Sequence, residues 1–83
     1  MTTVFADFNA MTEAEHVRLN CRSSAEDLGR AGARSGDAVW LSDGEFVVGA
    51  RLEVDPYYGL VGVPDWETLI YLDHEGASEV PRV

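Results

Sequence analysis

RSGDAVWLSDGEFVVGARLEVDP, residues 34 to 56, is the most regular stretch of this chain, and the rest is read outward from it. Val39 and Leu41 fall on one side and Ala38, Trp40 and Ser42 on the other, the period of two that a strand imposes. Asp43-Gly44 follows, and both residue types tolerate positive φ, so the pair predicts a two-residue hairpin turn. From Glu45 to Asp55 the alternation resumes. Phe46, Val48, Ala50, Leu52 and Val54 face one way, and Glu45, Val47, Gly49, Arg51, Glu53 and Asp55 the other. Straight, such a strand would run roughly 35 Å, so a small domain has to bend it. Gly49 is the natural place for the kink or bulge.

Towards the N-terminus two shorter runs alternate. VFADF (4 to 8) sets Val4, Ala6 and Phe8 against Phe5 and Asp7; HVRLNC (16 to 21) sets Val17, Leu19 and Cys21 against His16, Arg18 and Asn20. Their closeness predicts an antiparallel pair, joined by a loop or a single helical turn starting at Thr12, with Cys21 in the core. SSAEDLGRAG (23 to 32) then predicts a short helix. Ser23 with Glu26 matches the capping box, Glu26 to Arg30 is a favourable i, i+4 pair, and Gly32 is placed to end the helix. With Leu28 as its one large apolar residue, that helix must lie on the sheet. After the long strand, Asp55 to Gly59 reads as a turn, LVGV (60 to 63) and WETLIYL (66 to 72) as two strands separated at Pro64-Asp65, and 73–83 as a frayed acidic tail.

The sum is one α+β domain over residues 1–72. The order is β-β-α-β-β-β-β: a small bent antiparallel sheet or SH3-like β-barrel with one short helix packed on it. The hairpin opening GDAVWLSDGE after a short helix resembles the strand-turn-strand entry of SH3-like barrels. That resemblance covers about forty residues and implies architecture alone; it transfers no functional residue.

Composition narrows the function. The chain has 83 residues, 46% of them hydrophobic and 25% charged, the balance of a globular domain with a small core. Its net charge is −9. Residues 1 to 35 hold five acids against four arginines and residues 36 to 83 ten acids against two, so the acidity belongs to the second half. Such a surface repels phosphate backbones and anionic membranes, which argues against direct binding of nucleic acid or membrane. No apolar run reaches the length of a membrane span, and the N-terminus lacks a secretion signal. A lone cysteine makes no internal disulfide, so the expected location is the cytoplasm. All six bases are arginine, with no lysine or glutamine, a bias of GC-rich coding that points to a bacterial source.

Little in the chain is arranged for catalysis. His16 lies on a polar strand face, and Asp73-His74-Glu75 are consecutive residues whose side chains diverge. Gly59-Leu60-Val61-Gly62 precedes no helix and so makes no phosphate loop. The expectation is therefore a non-catalytic protein without cofactor or metal, a monomer or weak homodimer that binds a protein partner, itself of basic character.

Two features suggest how it would bind. Tyrosine and tryptophan dominate interface hot spots, and all five (Trp40, Tyr57, Tyr58, Trp66, Tyr71) lie in the second half. The candidate partner-binding residues are Trp40, Val47, Tyr57 and Tyr58 with the acids Glu45, Glu53 and Asp55. Trp40 projects beside Val47; it either covers Leu28 of the helix or is presented to a partner, and packing over Leu28 is the favoured reading. The alternative function is an acidic inhibitor that mimics nucleic acid. Carboxylates at i and i+2 on a strand stand about 6.6 Å apart, close to phosphate spacing, although Arg51 interrupts the row.

Overall fold

The structure is a computed structural model and describes residues 1–72; the expected tail, 73–83, lies outside the described residues. In chain order the elements are β1 (Thr3–Phe5), β2 (Val17–Arg18), α1 (Arg22–Ala31), β3 (Ala38–Ser42), β4 (Phe46–Asp55) and β5 (Gly59–Tyr71). They form one mixed five-stranded sheet in the order β1-β3-β4-β5-β2, with a single short helix. The fold is α+β and the sheet is curled.

The period-two pattern of β3 and β4 decides the core. Leu41 pairs with Val48 and Val39 with Ala50, so their side chains share one face. Leu52 faces Gly62 of β5, which in turn faces Val17 of β2. Val4, Ala6, Leu19 and Leu28 complete that buried cluster. Its curl is recorded at Gly62: a Cβ there would stand 2.7 Å from Leu41 Cδ1, two strands away across β4. A flat sheet would hold those positions roughly 16 Å apart, two strand spacings across and four residues along. A side chain there would have to push Leu41 aside, so glycine lets the sheet wrap closely around it.

Three expected elements turn out differently. First, the two N-terminal runs do not pair with each other. β1 joins β3 in parallel and β2 joins β5, which places them at opposite edges of the sheet. The polar loop between them spans the fold, and its end folds back through Thr12, whose hydroxyl accepts from the N–H groups of Ala14 and His16. Second, the two C-terminal runs are one strand, β5, which runs in register through Pro64-Asp65 and carries an irregularity just after it, at 66–69, rather than a break. Third, the turn after β3 is longer than two residues: Ser42 faces Val47, leaving 43 to 46 between them, and Gly44 takes φ 100°. Asp43 contributes by accepting the Glu45 N–H instead of adopting positive φ.

The helix also differs in detail. It starts two residues earlier than the Ser23 capping box requires, with Cys21 at the N-cap and no side-chain cap. Cys21 is therefore exposed and not a core residue. Glu26 pairs with Arg22, and Arg30 pairs with Asp27. Ser24 and Asp27 serve the sheet instead: Ser24 donates to the Phe5 carbonyl at 2.6 Å, and Asp27 accepts the Phe5 N–H at 2.8 Å. The helix thereby covers the free edge of β1, which would otherwise offer unpaired groups to another strand. Gly32, at φ 63°, ends the helix as expected. Leu28 goes into the cluster with Val39 and Leu41. Because Trp40 alternates with those two, it points to the opposite face, and the expected contact between Trp40 and Leu28 is not made. Trp40 lies instead directly across from Gly49.

Candidate functional site

The long hairpin of β4 and β5 has a base and a tip, and aromatic residues gather at both. At the base the register shifts. Val47 faces Ile70, but Gly49 already faces Asp65, so Trp66 to Leu69 lie opposite the single residue Val48. Such an excursion orphans ladder groups, and the side chains of the excursion satisfy them. The Gly49 N–H donates to Thr68 Oγ1 at 2.7 Å, the Thr68 hydroxyl donates to the Asp65 carbonyl at 2.6 Å, and the Asp65 carboxylate accepts the Glu67 N–H at 3.1 Å. Gly49 suits this place, since a Cβ would stand 3.0 Å from that same Thr68 hydroxyl and press on it.

The excursion lifts Trp66 onto a group of rings. Phe8 lies 4.8 Å from Phe46 and 5.9 Å from Trp66, while Tyr71 meets Phe46 edge-on at 5.9 Å. Phe8 and Phe46 are half-buried and packed on the core. Trp66 and Tyr71 remain 45% and 74% exposed. Buried floor and exposed walls make a fixed aromatic surface, the geometry in which tyrosine and tryptophan contribute most to recognition. A carboxylate adjoins each ring-bearing segment: Asp7 beside Phe8, Glu45 beside Phe46, and Asp65 and Glu67 on either side of Trp66. Among the described residues no arginine forms an ion pair with any of them.

At the tip, Asp55 faces Gly59, and its Oδ1 accepts the N–H groups of both Tyr57 and Tyr58. The two rings meet edge-on at 4.7 Å. Tyr58 is half-covered by the Arg18 guanidinium, 5.2 Å above its ring, whereas Tyr57 is 84% exposed. Arg18 Nε is buried and, among the described residues, has no hydrogen-bond partner.

The residues singled out in the sequence are therefore spread along the hairpin. Tyr57, Tyr58 and Asp55 share the tip, and Glu45 sits at the base, about 33 Å away along the strand. Trp40, Val47 and Glu53 lie on the outer face between them. Glu53 accepts from Arg51 Nη2 at 2.6 Å. That outer face also holds an open hollow of about 370 Å³, lined by Ala38, Gly49, Arg51, Val63, Asp65 and Thr68 among others. Sequence reasoning placed Trp66 and Tyr71 in a last strand and Phe46 in the core, and so missed the cluster. Asp65-Trp66-Glu67-Thr68 was its one available signal, because Asp and Thr three residues apart favour a local side-chain turn over a regular strand.

Elsewhere, Cys21 Sγ lies 3.2 Å from Ser24 Oγ. That hydroxyl, with the backbone N–H groups of Ser24 and Ser23, holds the thiol below its ordinary value. Among the described residues no three His, Cys, Asp or Glu side chains are grouped as metal ligands. Among them, too, no helix is long and apolar enough to cross a membrane. Comparison with protein families, curated proteins and solved structures finds no match to this chain.

Proposed function

We propose that this chain is a non-catalytic protein-interaction module, a small accessory protein of bacterial type that works in the cytoplasm as a monomer or weak homodimer. The observation that carries the reading is the ring cluster of Phe8, Phe46, Trp66 and Tyr71, exposed on a floor anchored in the core. Leaving such rings in water costs stability in a domain with a small core, and contact with a partner recovers that burial. The curl around Leu41 and Gly62 supports reading the sheet as a half-open barrel of the SH3-like kind.

Nucleic-acid mimicry draws less support. Its acidic row lies on the outer face of β4, where Arg51 ties up Glu53. Substitution separates the two readings. A Trp66→Ser, Tyr71→Ser double variant should keep its far-ultraviolet circular dichroism and lose the partner captured by the wild type. Glu53→Gln should retain that partner. The opposite pattern would move the site to the acidic row and sink the proposal.

A further inference from the structure

We infer that the base cluster takes an arginine- or lysine-bearing extended segment of a protein, with the cation seated against the exposed rings of Trp66 and Tyr71. This rests on the interaction reading above and names the chemistry of its partner. Two observations and one general principle carry it. The rings stand inclined to one another, Trp66 at 54° and Tyr71 at 66° to Phe46, so the two exposed walls are not stacked away on their neighbours. A cation held against an indole or phenol face is attracted by the ring quadrupole, most strongly when partly desolvated. Among the described residues the chain makes this contact once, where Arg18 covers Tyr58.

Charge selects the occupant. Asp7, Glu45, Asp65 and Glu67 neighbour the cluster's residues in sequence, and among the described residues none is paired with an arginine. A cationic segment meets a chain of net charge −9 as the opposite charge across an interface. A second copy of this chain brings a net charge of −9 of its own, so like charges oppose that contact. The chain's own residues 73–83 carry three acids against Arg82 and are disfavoured on the same ground.

The test uses the full chain with Trp40→Phe, which leaves Trp66 as the sole tryptophan, and follows its emission. The probe is a short capped peptide of alternating glycine and arginine; its counterpart carries citrulline, which has the same shape without the charge. The arginine peptide should shift the Trp66 emission and bind about tenfold or more tighter than the citrulline peptide. Calorimetry on the wild-type chain gives the same comparison without any substitution. Equal binding of the two peptides, or binding of neither, would overturn the inference. So would arginine binding that survives Trp66→Ser with Tyr71→Ser. Emission that changes with protein concentration alone would assign the cluster to a second copy, and emission changed by Arg82→Ala would assign it to the chain's own end; either overturns the proposed occupant. If partner capture still depends on Trp66 and Tyr71 while both peptides fail, the interaction reading stands and only the cationic occupant falls.

Discussion

The two ends of the β4–β5 hairpin are built from similar residue types by different means. At the tip, one carboxylate, Asp55, fixes the turn through two hydrogen bonds to residues two and three positions on. At the base, Phe8 from the N-terminal loop, Phe46 from β4, and Trp66 and Tyr71 from β5 come together across as many as 63 positions of chain. Local chemistry makes the tip; packing against the core makes the base. A surface that must keep its shape for a partner is better served by the second, because its side chains are held by neighbours on several elements.

The sharpest way to break this comparison is to remove the floor of the base. Phe46 touches three other rings and packs on the core, so Phe46→Ala should cost about 3 kcal/mol. In a small domain of thin margin, chemical denaturation should show much of the protein unfolded before denaturant is added. A midpoint near that of the wild type would mean the rings rest on the surface and are not tied to the core.

The excursion that lifts Trp66 is the next target. Thr68→Val keeps the shape of the side chain but removes the hydroxyl that accepts from Gly49 and donates to Asp65. Leaving the part-buried Gly49 N–H without that acceptor should cost about 2 kcal/mol. Thr68→Ser, which retains the hydroxyl, should cost less than half of that. Equal losses in the two variants would show that the methyl group, and not the hydrogen bonds, holds the excursion.

How much of this was legible follows from the same division. The strands β3 and β4, the turn at Asp55 to Gly59 and the end of the helix at Gly32 all depend on near neighbours, and the sequence states them; the bulge expected in β4 at Gly49 falls across from it, in β5. Strand partners do not. Val4 and Val17 have the same alternating surroundings, yet one lies beside Leu41 in a parallel pair and the other beside Gly62 at the far edge. Nothing local distinguishes those fates. Cys21 misled for a related reason: it continues the alternation of Val17 and Leu19, but the chain has already turned into the helix whose N-cap it forms. Trp66 was hidden because a strand excursion leaves no periodic signature.

Backbone conformation gives an intermediate effect that should be the same at both ends. Gly44, near the base, has φ 100°, and Gly59, at the tip, has φ 80°. A β-branched residue is strained at either angle, although open space surrounds both. Gly44→Val and Gly59→Val should each lower stability by over about 1 kcal/mol. Urea midpoints shifted by similar amounts would show that the two ends differ in their packing and not in the demands of their turns. A tolerated Gly59→Val would mean that the tip can adopt another turn, and would widen the contrast.

The smallest effect belongs to Tyr57. Its ring is 84% exposed and meets only the edge of Tyr58, while its backbone is held by Asp55 whatever the side chain. Tyr57→Ala therefore removes one ring–ring contact in water and little else, so the unfolding midpoint should correspond to a loss within about 0.5 kcal/mol. Tyr58→Ala should cost more, because it also uncovers Arg18, whose Nε is buried and, among the described residues, without a partner. The pair of substitutions measures where the tip stops being surface and starts being structure. A Tyr57→Ala loss as large as that of Phe46→Ala would erase the distinction between tip and base. It would also make the tip a second packed aromatic site, assembled by contacts and not by its turn alone.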